Sequence, residues 1–214
     1  MAEDEKDQKT VHISGRINLP GGEKLRYSLW TMPYLSKEKS DQLLAVFADP
    51  EFPLVSNPVV RTGVCHRRVG FFSNDSNGYR FAGQIAASLP LDTHPSMPKL
   101  LKRVNEFLGT RFNGILINHY RKDQNDSIGA HADDENTLSD GTVAAISLGV
   151  SRKFRITGTG KSIIDIPTGH GQLLVMDGIF QQIFKHGIPV EKKVSGDRVS
   201  LTFRVHVPDK KEGK

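Results

Sequence analysis

The chain runs to 214 residues, 37% hydrophobic and 25% charged, with a formal net charge of +5. That is enough chain to bury a core without disulfide or metal staples, and its scattered glycine and proline exclude a collagen-like repeat, a coiled coil or wholesale disorder. One cysteine, Cys65, excludes a disulfide framework and a Cys-rich zinc site, so holding a metal falls to histidine and carboxylate.

The first residues, Met1 to Thr10, are charged and lack the apolar core of a signal peptide, and no apolar run approaches the ~20 residues that span a bilayer. The expectation is a soluble intracellular protein, in cytoplasm or nucleus, monomeric and with no membrane partner. Residues 1–10 and 209–214 read as disordered tails around a single domain over 11–208. In the N-terminal half, Ser36 is placed to cap a helix whose apolar stripe is Leu43, Leu44 and Phe47. A second helix carries Met97, Leu100, Leu101, Val104 and Leu108, with Pro98 in its first turn and Gly109 as its stop. From Asn113 onwards the pattern turns to short strands: 115–120, 143–148, 154–156, 163–166, 173–176 and 199–207, separated by Gly-rich turns. Helices followed by six or more closely spaced strands predict an α+β protein on a sandwich or barrel of mainly antiparallel strands. The segment Gly158-Thr-Gly-Lys-Ser162 imitates a phosphate loop, but the first glycine of that motif is replaced by Arg155 and a strand pattern follows where a helix is needed.

The chemistry concentrates in His131-Ala-Asp133. Residues two apart on an extended segment project to one side, so both side chains can reach one ion. A second imidazole, His186, follows 186 − 131 = 55 residues later. Two histidines and one carboxylate on one side of a metal leave adjacent positions open, the arrangement of non-haem Fe(II) oxygenases, although a zinc hydrolase can use the same donors. The last strand alternates Val199, Leu201, Phe203, Val205 and Val207 with Arg198, Ser200, Thr202, Arg204 and His206. If the apolar set packs into a core, the other set lines a cavity where two guanidinium groups suit a dicarboxylate. Asn118 and Tyr120 share a face of an earlier strand and add an amide and a phenol to that recognition.

These residues resemble the AlkB-type 2-oxoglutarate- and Fe(II)-dependent dioxygenases. The likeness runs in order through Leu116-Ile-Asn-His-Tyr120, Ile128-Gly-Ala-His-Ala-Asp-Asp-Glu135, Ile146-Ser-Leu-Gly149, His170-Gly-Gln-Leu-Leu174, Lys185-His186 and Arg198-Val-Ser-Leu-Thr-Phe-Arg204. The resemblance implies a double-stranded β-helix, or jelly-roll, core with N-terminal helices and a nucleotide-recognition lid. It implies that His131, Asp133 and His186 ligate Fe(II), that Arg198 pairs with the distal carboxylate of 2-oxoglutarate, that Arg204 serves the end near the metal, and that Asn118 and Tyr120 hydrogen-bond this cosubstrate. With O2 as the other cosubstrate, the implied reaction hydroxylates an N-methyl group on an alkylated base, such as 1-methyladenine or 3-methylcytosine in DNA or RNA, releasing formaldehyde and succinate. The same oxygenase chemistry on a protein or lipid, or a catalytically silent nucleic-acid-binding module, are the alternatives. By the same resemblance, Tyr79 and Phe81 border a flipped base in the lid, Glu135 contacts its edge, and Arg67 and Arg68 contact phosphate.

Overall fold

The computed structural model describes residues 10–18, 22–60, 63–75, 78–81, 84–133, 141–158 and 163–206. In chain order the elements are β1 His12–Asn18, β2 Lys24–Pro33, α1 Lys37–Phe47, β3 Val55–Ser56, β4 Val59–Val60, β5 Gly63–Val64, β6 Arg68–Ser73, β7 Gly78–Phe81, β8 Gln84–Leu89 and α2 Ser96–Leu108. There follow β9 Gly114–Tyr120, β10 Ile128–His131, β11 Val143–Gly149, β12 Arg152–Thr157, β13 Ile163–Thr168, β14 Gln172–Gly178, α3 Phe180–Ile183, β15 Lys185–Ile188 and β16 Arg198–Arg204. Except for Thr10, the expected tails lie outside the described residues.

Two sheets carry the fold. The larger runs β1-β2-β14-β11-β16-β9-β6-β8-β7, with β3 also on β6; the smaller runs β10-β15-β12-β13. All pairings are antiparallel except β6 with β8. This is the predicted jelly-roll sandwich. Period-two alternation sorts its side chains between two cores. Leu173, Val175, Val199, Leu201 and Phe203 face outward against the helices, while Leu174 and Met176 face inward with Phe154, Ile156 and Ile166 of the smaller sheet.

Both predicted helices form where expected. Ser36 caps α1 by accepting from the Lys39 amide at 3.3 Å, and Leu43 and Phe47 are buried. Met97, Leu100, Leu101 and Val104 bury one face of α2, and Gly109 ends it at φ 65°, a conformation costly to a residue with a Cβ. The basic face of α2 is partly spent at home: Lys102 lies 3.7 Å from Glu106, and Arg103 stacks over Tyr34. Helices followed by strands was the expected order; the N-terminal half holds the two helices and also contributes β1 to β8. In β2, Leu25, Tyr27 and Leu29 alternate with charged and polar neighbours, whereas β6 carries apolar residues on both faces and shows no period. The last strand stops at Arg204, with His206 in an isolated bridge; Val207 lies outside the described residues. The phosphate-loop decoy is flanked by paired strands, Thr157 opposite Ile163, and a strand follows it.

Candidate metal and cosubstrate site

β10 and β15 pair so that His131 stands directly opposite His186, and Asp133 follows two residues beyond. Nε2 of His131 and of His186 each lie 3.6 Å from a different oxygen of Asp133. One donor atom from each of the three residues falls within 4.8 Å of the others. Metal–ligand bonds of about 2.1 Å at right angles hold ligand atoms about 3 Å apart, so this spacing suits an octahedral metal approached from one side.

Neighbouring groups set the donors. His131 Nδ1 lies 2.9 Å from the Gly129 carbonyl oxygen, which only accepts, so Nδ1 carries the proton and Nε2 presents its lone pair. The His186 ring stacks on Phe154 with centroids 5.1 Å apart. Burial pushes the His186 pKa down to about 3 against the opposing pull of Asp133, and burial lowers His131 as well. Both imidazoles are therefore neutral near pH 7, the form that binds metals. Burial alone would raise the Asp133 carboxyl, but Arg204, His186 and His131 together outweigh it and hold it below the ordinary range. Arg204 donates to Asp133 Oδ1 at 2.7 Å, and the Asp133 amide donates to Gln181 Oε1 at 3.0 Å. Oδ2 of Asp133 is buried with no hydrogen-bond partner, a carboxylate oxygen left for a cation. The residues fit a metal of the Fe(II) type.

The same pocket extends along β16. Its wall contains Arg198, Ser200, Thr202 and Arg204, while Val199, Leu201 and Phe203 point to the helices, as the alternation predicted. Arg198 is 2% exposed, donates to Ser147 Oγ at 2.8 Å, and sits over the Tyr120 ring at 5.2 Å. Its Nε and Nη1 are buried without a partner, so a planar fork is held ready for an anion. Asn118 also lines the pocket, and its Oδ1 is taken by Arg67 Nε at 2.7 Å, leaving the amide NH2 as what it can offer a carboxylate. Together these groups offer the donors that a dicarboxylate such as 2-oxoglutarate needs.

Two expectations change. Arg68 is buried, and its terminal nitrogens donate to the main-chain oxygens of Asp49, Pro50 and Phe52 at 2.8–2.9 Å, so it holds a turn and does not reach a surface phosphate. Arg67 is likewise 3% exposed and belongs to the pocket wall behind Asn118, not to an outer face. Charge in a row of basic residues says nothing about burial, which is why the sequence misled here. Tyr79 and Phe81 lie on β7, but their side chains, and the whole of Glu135, fall outside the described residues. Gln181 went unread because it stands on a four-residue helix far in sequence from the residue it positions.

A family model described as "2OG-Fe(II) oxygenase superfamily" matches residues 33–204. Among curated proteins, the chain is 37% identical over 136 residues to the DNA oxidative demethylase ALKBH2 of Homo sapiens, covering 59% of this chain and 51% of that one. It is 35% identical over 127 residues to alpha-ketoglutarate-dependent dioxygenase alkB homolog 3 of Homo sapiens, covering 54% and 44%. The chain thus spans about half the length of these relatives. A crystal structure of a 2OG-Fe(II) oxygenase family oxidoreductase from Burkholderia pseudomallei superposes with a TM-score of 0.56 at 18% identity, covering 85% of this chain and 88% of that one, a likeness of fold.

Proposed function

This chain belongs to the 2OG-Fe(II) oxygenase superfamily, and on that premise we propose that it oxidatively demethylates alkylated bases of the 1-methyladenine and 3-methylcytosine type in DNA or RNA. The observation that carries the chemistry is one pocket holding the His131, Asp133 and His186 donors near one end and the unpartnered guanidinium edge of Arg198 near the other. The substrate class draws support from the named activity of the ALKBH2 relatives.

Fe(II), 2-oxoglutarate and O2 together supply the oxidation that converts the N-methyl group to N-hydroxymethyl, with succinate and CO2 as co-products. The chain supplies placement. His131 Nε2 and His186 Nε2 present lone pairs because burial keeps both rings neutral and Gly129 fixes the His131 tautomer. Arg204 and Gln181 hold Asp133 from its side chain and its backbone. Arg198 binds the distal carboxylate, with Tyr120 beneath it and Asn118 offering its amide. At 28% side-chain exposure His131 is the open edge of the trio, the side from which a base can enter. The hydroxymethyl product then breaks its N–CH2OH bond: the hydroxyl proton leaves, formaldehyde departs, and the base nitrogen regains its electron pair or a proton. Incubation of the protein with Fe(II), 2-oxoglutarate, O2 and methylated oligonucleotides should release formaldehyde and succinate in equal amounts. Release no greater than from His131→Ala would overturn the reading.

A further inference from the structure

We propose that the outer face of the β1–β2 hairpin is a binding surface for the phosphodiester backbone of the nucleic-acid substrate, outside the catalytic pocket. The hairpin lies almost wholly before residue 33, where the family match begins. Its register sets His12 opposite Trp30, Ser14 opposite Ser28, Arg16 opposite Arg26 and Asn18 opposite Lys24. Cross-strand partners and alternate residues share a face, so His12, Arg16, Lys24 and Arg26 stand together with two serines and an asparagine among them. Trp30 fixes which face this is: it packs on the helix side, whereas Ile13, Tyr27 and Leu29 turn into the space between the sheets. His12, Ser14, Arg16, Asn18, Lys24 and Arg26 are all exposed.

Two features separate this face from ordinary solvated charge. Arg16 and Arg26 are directly opposed, an arrangement that destabilises a strand pair unless an anion lies between or beside them. Among the described residues none of His12, Arg16, Lys24 and Arg26 forms an ion pair. Among the described residues the carboxylates beside it are Glu23, adjacent to Lys24, and Asp177, whose Oδ1 already accepts from Thr142 and from the Gly178 amide. Secondly, the face is concave: a groove of about 390 Å³ is lined by His12, Ser14, Arg16, Arg26, Ser28 and Asp177 among others. Guanidinium forks with hydroxyls between them match a row of phosphates, which neutral protein surface or a lone anion would not need.

Position supports the same occupant. Arg204, which bonds Asp133, sits one residue past the level at which Phe203 faces Ala144; Val143 then faces Met176, and Met176 faces Leu29. The metal end of the larger sheet is therefore level with Leu29. Residues 24–26 of β2 pair with β1 alone, beyond the last rung of β14 at Tyr27. From Leu29 to Lys24 is five residues, so at ~3.3 Å each the hairpin projects about 17 Å past that level. β2 is also three strands from β16, about 14 Å at ~4.8 Å each, so the tip of the basic face lies about 22 Å from the metal end, a distance that a strand of several nucleotides spans.

The inference rests on nucleic acid being the substrate, and the test separates the two. Binding of an unmodified, fluorescently labelled 20-nucleotide DNA is measured by anisotropy across a salt series, for the wild type, R16Q/R26Q and the equal-charge control K99Q/K153Q. The hairpin variant should bind roughly tenfold more weakly at low salt, with the slope of log K against log salt smaller by about 1.4 for two lost phosphate contacts on a single strand. Removing an opposed Arg pair should not lower the melting temperature, and turnover of a methylated mononucleoside, where the enzyme accepts one, should be unchanged. Wild-type affinity and slope in R16Q/R26Q would overturn the proposal, as would equal losses in K99Q/K153Q, which would mean bulk charge alone. Tighter wild-type binding to phosphatidylserine vesicles than to the oligonucleotide, lost in R16Q/R26Q, would also overturn it. Salt-sensitive binding that depends on the hairpin, without formaldehyde release from methylated DNA or RNA, would uphold this surface while the demethylase reading fails.

Discussion

Replacing Arg198 with methionine should stabilise the ligand-free protein and at the same time abolish its response to 2-oxoglutarate. The guanidinium is 2% exposed, donates to Ser147 Oγ at 2.8 Å, lies over the Tyr120 ring, and has Nε and Nη1 buried without a geometric hydrogen bond. No carboxylate forms an ion pair with it among the described residues. A buried donor left unsatisfied costs about 1–3 kcal/mol, and replacing buried ionic groups by apolar ones of similar size commonly gains about 1–4 kcal/mol. Taking ~2 kcal/mol for Arg198→Met, and about 2–4 °C per kcal/mol for a chain of this size, the melting temperature should rise by about 4–8 °C. The cosubstrate works in the opposite sense. At a hundred times its Kd it stabilises the wild type by about 2.7 kcal/mol. Loss of two charge-assisted bonds, each about 1.5–3 kcal/mol, raises that Kd more than about a hundredfold and erases the shift. Differential scanning fluorimetry with Mn(II) in place of Fe(II), with and without 2-oxoglutarate, reads both. The variant should melt above the wild type without cosubstrate and show almost no shift with it. A variant that melts lower without cosubstrate, or that keeps the wild-type shift, would refute the assignment of Arg198 as the anion fork.

Other substitutions probe the groups around the pocket. Gln181→Leu removes the acceptor for the buried Asp133 amide and should weaken divalent-metal binding about 10–100-fold in a direct titration, with the fold intact by circular dichroism. Burial holds His206 at about 4 from an ordinary 6.5, so below pH 6.5 the unfolded chain takes up a proton that the native state refuses until about pH 4. Stability therefore falls as pH drops through that window, by up to roughly 3 kcal/mol, and His206→Gln should flatten the slope of denaturation free energy against pH there; an unchanged slope would mean the histidine is not the source. Gly149 has φ 88° and a Cβ there would lie 2.1 Å from the Asp197 carbonyl oxygen, so Gly149→Ala should lower the unfolding free energy measured by urea denaturation by at least about 2 kcal/mol.

The parts of the site that were legible in the sequence are those where one strand's alternation does the positioning. Arg198 and Arg204 could be placed on the cavity side because Val199, Leu201 and Phe203 so plainly claim the other. His131 and Asp133 also come together as their spacing suggested, although β10 ends at His131 and Asp133 lies just beyond it. Pairing across strands is a different matter. That His186 faces His131 depends on the β10–β15 register, and that Gln181 reaches Asp133 depends on where a short helix lands after β14; no local pattern records either. Arg67 and Arg68 failed for a related reason. Their neighbours in space, Asn118 and the turn at 49–52, are distant in sequence, and a buried guanidinium satisfied by carbonyl oxygens looks the same in a sequence as an exposed one.

That last point changes what the net charge means. Of the described residues, five buried arginines (Arg67, Arg68, Arg152, Arg198 and Arg204) and two buried aspartates (Asp126 and Asp133) leave 5 − 2 = +3 inside the fold. The whole chain carries +5, so 5 − 3 = +2 is shared by everything else, the undescribed segments included. A total so nearly balanced does not by itself attract a polyanion. Attraction at the range of one Debye length, about 8 Å at physiological ionic strength, depends on where like charges gather without counter-charges. Among the described residues the β1–β2 face is such a gathering, whereas the α2 lysine and arginine side chains have begun to be neutralised or stacked. Affinity for the proposed nucleic-acid substrate should accordingly respond to single charges on that hairpin, and hardly at all to equal changes of charge placed elsewhere on the surface.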